Sequence, residues 1–228
     1  MSKPKIVGMI TIGESPRDDL VPEIKRLAGL EAEILQCGTL DGLSRSEMTK
    51  LAPEHGEYEL VTRLKDGTEI RLARRKLVNR MQNCIDSLEE RGADVIVILC
   101  VGEWPGFRSE KLVIEPFAPF RGLMLGMVNK GDRLGIIVPA EAQIEGFKQG
   151  WSKQGVKLSV AAASPYGPTA RDDLARAARS LKESGVDVVA MACPGFDEEM
   201  RGIVEEITGK PAVLVLSVLA WMVKELAG

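Results

Sequence analysis

A ten-residue pattern that occurs twice restricts the fold of this chain more than any other feature. Ala93-Asp-Val-Ile-Val-Ile-Leu-Cys-Val-Gly102 returns as Val186-Asp-Val-Val-Ala-Met-Ala-Cys-Pro-Gly195. Each copy holds an acid, a continuous apolar run, a cysteine, one further residue and a glycine. An unbroken apolar run of this length between an acidic start and a glycine stop reads as a strand buried on both faces, as in a parallel sheet. Cys100 and Cys193 then stand at the carboxyl ends of equivalent strands, where open α/β sheets bind ligands. The expected fold is α/β, with two pseudo-symmetric lobes of mostly parallel sheet.

The composition narrows the function. A net charge of −3 over 228 residues offers no general basic surface for nucleic acid, and the basic segment from Arg71 to Arg80 reads as a solvated helix face. No apolar run reaches the length of a membrane span, and the start of the chain runs into a strand with no leader-like stretch. The expected location is therefore cytoplasmic, with no membrane partner. In that compartment Cys37, Cys84, Cys100 and Cys193 are expected to be reduced thiols. The single histidine, His55, gives little basis for a metal site or a histidine-based triad.

The first lobe is expected over residues 1–125 and the second over 126–228, with the C-terminal helix able to pack back on the first. Lys5 to Thr11 reads as the opening strand. Gly13-Glu-Ser-Pro-Arg-Asp-Asp19 follows with the signals of a helix start: Ser15 as N-cap, Pro16 in the first turn, then acids. Such a loop places Thr11, Gly13, Ser15 and Arg17 where a carboxylate can bind, although a well-capped helix start accounts for the same residues. Glu33 to Cys37 reads as a second strand. Residues 39–75 have no counterpart in the other half, and two alternating runs about Asp66-Gly67 mark a β-hairpin within them. This insertion is either a cover over the site or a subunit contact. Cys84 falls on the apolar stripe Leu77, Met81, Ile85, Leu88 and reads as a core thiol.

The second half restarts at Asp132 to Pro139, continues through a strand ending near Ser164-Pro-Tyr166, and reaches the second cysteine strand. Between Gly8 and Cys100 lie 34 more positions than between Gly135 and Cys193, close to the length of the insertion. That agreement is what a duplication followed by one insertion leaves behind.

With the repeat and both cysteines placed, the chain resembles the aspartate/glutamate racemase superfamily. The strings Thr11-Ile-Gly-Glu-Ser-Pro-Arg-Asp-Asp19, Leu40-Asp-Gly-Leu-Ser44 and Leu60-Val-Thr-Arg-Leu-Lys-Asp-Gly-Thr68 resemble the AroM family within it. The resemblance implies that Cys100 and Cys193 face each other across a cleft between the halves and act without a cofactor. Amino-acid racemases of that superfamily carry Asn or Thr directly after each cysteine; Val101 and Pro194 stand there in this chain, which argues against aspartate or glutamate as substrate. The groups left to hold a small carboxylic acid are Thr11, Gly13, Ser15, Arg17, Gly102, Ser164, Tyr166 and Gly195.

Two-base chemistry needs one thiol ionised, and Pro194 at the first position of a helix would place Cys193 where a helix N-terminus lowers its pKa. The leading expectation is a racemase- or isomerase-like enzyme that transfers protons through the two cysteines, with racemisation, isomerisation and decarboxylation left open. A small-molecule binding or regulatory protein on the same scaffold is the alternative, and a disulfide switch between the same two cysteines is a third. A homodimer is left open.

Overall fold

A computed structural model describes residues 5–29, 31–152 and 155–227. Residues 1–4, the beginning of the first expected lobe and of the run into the first strand, lie outside the described residues, as does residue 228. Two four-stranded parallel sheets form the framework. In the first, β1 (Ile6–Thr11) lies between β2 (Glu33–Gly38) and β5 (Val95–Ile98), with β6 (Leu112–Ile114) outside β5. In the second, β7 (Arg133–Val138) lies between β8 (Lys157–Ala162) and β9 (Val188–Met191), with β10 (Ala212–Leu214) outside β9. The two orders correspond strand for strand.

The repeated motif accounts for this correspondence residue by residue. The acid that opens each copy accepts the first amide of the neighbouring strand: Ile6 N donates to Asp94 Oδ2 at 2.8 Å, and Arg133 N to Asp187 Oδ2 at 2.9 Å. Further along, Leu99 N donates to Ile10 O at 2.8 Å and Ala192 N to Ile137 O at 2.9 Å. Gly8 and Gly135 occupy matching positions in their strands, because a Cβ on either would come within 3.0 Å of an apolar side chain, Leu88 or Val186. Glycine at both sites lets the covering helix sit close to the sheet.

Both faces of each central strand are buried, as the apolar runs require. Val95 and Val97 with Val189 and Met191 point into a core shared by the two sheets, while Ile96 and Ile98 face a core on the outer side of the first sheet. Val188 and Ala190 face a third core, on the outer side of the second sheet. The helices that follow the two outer strands cross over reciprocally. Phe120 and Met124 of α4 (Phe117–Met127), which follows β6, join the outer core of the second sheet. The terminal helix α8 (Val215–Ala227), which follows β10, packs against α1 (Val21–Ala28) of the first. Among the described residues no helix is long and apolar enough to cross a membrane.

The insertion contains a short helix, α2 (Arg45–Thr49), and the expected hairpin, β3 (Glu59–Arg63) paired antiparallel with β4 (Glu69–Ala73). The basic segment that reads as a solvated face in fact fastens this insertion at the start of α3 (Arg74–Glu90). Arg75 pairs with Glu54 and Glu57, Lys76 donates to the carbonyls of Lys50 and Ala52, and Arg80 donates to the carbonyl of Thr39.

Two expectations fail. The first helix does not start at Ser15-Pro16; it starts at Val21. Ser15 is committed elsewhere, its amide donating to Asp41 Oδ1 at 2.8 Å and its hydroxyl to the same carboxylate, and the Arg17 amide goes to Gln36 Oε1 at 2.8 Å. Nor are all four cysteines thiols. Cys37, at the end of the edge strand β2, and Cys84, on the inner face of α3, have Cα atoms 5.6 Å apart and form a disulfide. Periodicity placed Cys84 in the core correctly but could not show that β2 brings a second sulfur against it.

If the hairpin is an integral part of the core and not a loose appendage, truncating Leu72, a hairpin residue fully buried in the outer core of the first sheet, carries the cost of a core cavity. Leu72→Ala is expected to lower stability by about 2–5 kcal/mol, measured by urea unfolding; a loss below about 0.5 kcal/mol would mean that the hairpin is not docked.

Candidate active site

Each apolar strand ends two residues before its cysteine, so Cys100 and Cys193 emerge at the carboxyl ends of β5 and β9. Both are free thiols, both are buried, and both line one cavity between the sheets. Gly102 and Gly195, the last residues of the two motif copies, each turn a backbone amide onto the sulfur two residues earlier. Pro194 is not the first residue of a helix: it lies in a turn, and α7 (Glu198–Thr208) begins after Asp197, whose side chain caps it. The backbone donor at Cys193 is therefore the Gly195 amide and not a helix N-terminus. A Cβ on Gly195 would lie 2.5 Å from the Tyr166 hydroxyl, so only glycine lets the tyrosine sit against this turn.

Burial raises both thiols. Cys100 is pushed up to about 12, mainly by desolvation, with the Gly102 amide working against the rise and Cys193 adding to it. Cys193 is pushed up to about 11, again mainly by desolvation, and is held lower than its partner by the Gly195 amide, the Arg17 charge and a hydrogen bond with Tyr166. The two halves thus present equivalent sulfurs in unequal surroundings.

That inequality comes from a cluster at the floor of the cavity. The Arg17 guanidinium is buried and all five of its N–H groups are engaged. Nε and Nη2 grip Asp19 at 2.8 and 2.7 Å, Nη1 reaches Thr11 Oγ1 at 3.2 Å and Thr62 Oγ1 at 3.4 Å, and Nη2 also reaches the Tyr166 hydroxyl at 3.2 Å. Burial works against the charge on Arg17, but its bonds and charge contacts with Asp19 and Tyr166 hold its pKa above the usual arginine value. Burial raises Asp19 too, and the Arg17 hydrogen bonds and charge outweigh it, so its pKa lies below the usual range. Tyr166 is raised by desolvation first, then by the neighbouring Cys193.

The residues expected to hold an acid are distributed unevenly around this cluster. Arg17, Tyr166 and Gly102 line the thiol cavity. Thr11 lies beneath Arg17, and Gly13 packs against Thr62 and Arg63 of the hairpin. Ser15 is tied to Asp41, away from the cavity lining, and Gly195 lies beneath Tyr166. Ser164 lines an adjoining cleft and bonds the Glu69 carboxylate. Sequence reading missed Asp19 as the counter-ion of Arg17, although its position two residues away was a usable signal. It also missed Thr62, although that residue lies inside the string from Leu60 to Thr68, and Gln143, which no motif marks; both line the cavity.

The hairpin roofs the cavity. Leu60, Val61 and Thr62 line it, and ties from both halves hold it down: Arg17 to Thr62, Gln143 Nε2 to the Glu59 carbonyl at 2.8 Å, and Ser164 to Glu69. The enclosed volume is about 20 Å³, enough for one water molecule and little else. In this conformation the cover is shut.

Two parallel sheets of matching strand order, covered by helices, give the chain a fold of the aspartate/glutamate racemase class. The chain belongs to the AroM protein family, whose model matches residues 7–227. Among solved structures it is similar to the aspartate racemase of Picrophilus torridus, at 14% identity and a TM-score of 0.58, covering 98% of this chain and 94% of that one. It is similar to the maleate isomerase of Pseudomonas putida S16, at 14% identity and a TM-score of 0.56 over 98% and 93% of the two chains. An arylmalonate decarboxylase is similar at 14% identity and a TM-score of 0.54, over 98% and 92%. No curated protein matches the sequence. At these identities the likeness is one of fold.

Alkylation by iodoacetamide is expected to be slow at neutral pH and to rise about tenfold per pH unit without levelling below pH 10, because the thiolate is the reactive form and both thiols titrate higher. Peptide mapping should find Cys193 modified ahead of Cys100. Tyr166→Phe should narrow that difference by removing the hydroxyl from Cys193; a Cys193 rate unchanged by the substitution would show that the tyrosine does not tune the thiol.

Proposed function

We propose that this protein is a cofactor-independent racemase- or isomerase-like enzyme that moves a carbon-bound proton of a small carboxylic acid by way of Cys100 and Cys193. The observation that carries the reading is the pair itself: two unbridged thiols at equivalent strand ends, lining one cavity, each with a glycine amide aimed at its sulfur. The activities named for proteins of similar fold, a racemase, an isomerase and a decarboxylase, support an enzyme, and each of those names contains an acid or an acid anion.

Cys193 is the better base, since the Gly195 amide, the Arg17 charge and the Tyr166 hydroxyl all favour its thiolate. With Cys193 ionised, its sulfur removes the proton from one face of the carbon next to the carboxylate. Cys100, held as the thiol by desolvation and by the charge on Cys193, delivers its own proton to the opposite face. The sulfurs end with exchanged protonation, and the reverse turnover restores them. Charge that builds on the substrate carboxylate is met by the remaining polar atoms of the cavity lining, Thr62 and Gln143 among them. The hairpin must lift before an acid enters, and its closing excludes water from the carbanion.

A binder without catalysis is the second reading, favoured by the full engagement of the Arg17 donors. The deciding experiment incubates the protein with small hydroxy, amino and dicarboxylic acids in deuterated water and follows deuterium incorporation and new isomers by NMR, with Cys100→Ser and Cys193→Ser alongside. Two-base transfer is expected to lose at least about 100-fold of turnover in each variant, with one-sided exchange surviving where the thiolate for that face remains. An active acid turned over at wild-type rate by both variants would rule out the cysteine mechanism, and a saturable ligand that never exchanges would favour the binder.

A further inference from the structure

The thiol cavity holds one cation, and that cation has no donor left for a ligand. Two cations with spare donors, Arg74 and Arg121, lie in a neighbouring cleft of about 450 Å³ on the seam between the halves. The same three segments wall both spaces. Leu60 lines the cavity and Tyr58 the cleft; Gly102 lines the cavity and Glu103 the cleft; Gln143 lines the cavity and Gly146 the cleft. Tyr58, which stands between them, is close enough to Cys100 for that sulfur's charge to help push the phenol up to about 12, after desolvation.

Arg121 of α4 is half-buried in this cleft, and among the described residues it makes no hydrogen bond or ion pair. Arg74 stacks over the Tyr58 ring, 4.7 Å from its centroid, and spends one nitrogen on the Glu103 carbonyl. Phe117 and Phe147, edge to face at 6.0 Å, supply an apolar wall. Among the described residues of the lining, Glu103 is the only acid, and it is exposed, so against Arg74 and Arg121 they carry a net positive charge. A guanidinium with no protein partner that lines a cleft is free to take an anion in a charge-assisted, bidentate contact.

We infer that this cleft is the recognition site for the acid, where Arg121 and Arg74 take its carboxylate and the Phe117–Phe147 wall takes an apolar, flat body, before the hairpin lifts to admit it to the thiols. The assignment rests on the proposed function only in treating the ligand as the substrate of the cysteines; the anion site stands or falls separately. It selects a monocarboxylate with an aryl or similar substituent over a small charged amino acid, for which the lining has no second anion site.

Two measurements on the full chain test it without any turnover. In the first, Cys100 and Cys193 are alkylated at low ionic strength by iodoacetate, an anion, and by iodoacetamide, its neutral counterpart, and the rates are read by peptide mapping. Both reagents need the same opening and the same thiolate, so the ratio of their rates isolates the attraction of the anion. Arg121→Gln is expected to lower the iodoacetate-to-iodoacetamide ratio about three- to fivefold, the effect disappearing at high salt, while Arg171→Gln, on a remote exposed ion pair, leaves it unchanged. In the second, benzoate is expected to raise the melting temperature of the wild-type protein and not of Arg121→Gln, with benzyl alcohol raising neither. This measurement decides alone if the folded thiols resist both reagents. A ratio unaffected by Arg121→Gln, or benzoate that stabilises both proteins alike or neither, overturns the assignment. Arg121-dependent binding with no deuterium exchange on any acid would instead keep the site and dismiss the enzyme.

Discussion

The placement of both thiols depends on one constraint, the register between each cysteine strand and the strand beside it. A parallel pair that slips by one residue turns every side chain to the opposite face, and here one face looks into the shared core and the other outward. The carboxylates of Asp94 and Asp187, each holding the first amide of the neighbouring strand, pin that register at the amino end. The glycine amides then catch the sulfurs at the other end. The acid, the apolar run, the cysteine and the glycine form one device for delivering a sulfur to a fixed height above a sheet, used twice.

Symmetry ends at the floor of the cavity. The first half supplies Arg17 and Asp19, the second supplies Tyr166, and it is Cys193, not Cys100, that this cluster favours as the thiolate. The guanidinium is placed by five bonds to four residues from three parts of the chain, which makes it a junction between the opening loop, the hairpin and the second half. Removing Asp19 would leave a buried cation without its counter-ion, a far larger disturbance than losing an exposed surface pair. Its position explains how an insertion into one half comes to be anchored by residues of both.

The fold was legible where a single stretch of sequence carried the signal. The strands, the hairpin about Asp66-Gly67 and the apolar stripe of α3 all follow from local periodicity, and the doubled motif revealed the two-sheet plan. Of the residues singled out for the site, Cys100, Cys193, Arg17, Gly102 and Tyr166 do line one cavity. What escaped depends on contacts between distant segments. Ser15 and Pro16 look like a helix start because local capping rules favour it, yet Asp41, 26 residues on, takes both donors of Ser15. Cys37 and Cys84, 47 residues apart, meet only once β2 lies against α3. The saturation of Arg17 was equally invisible, since a count of cations in a loop cannot say which donors the fold has already used.

The shut roof bears on any affinity measured for the thiol cavity itself. A chamber with space for one water cannot be the state that a larger molecule meets; that molecule meets a rarer conformer in which Thr62, Glu59 and Glu69 have let go of their partners. Observed binding is then the intrinsic affinity multiplied by the fraction of time the roof is raised. Weakening any of the ties from Arg17, Gln143 or Ser164 makes a ligand seem tighter with no new contact to it. A tight binder obtained by loosening the hairpin would therefore report the balance between two shapes of the protein, and nothing about how well the ligand fits.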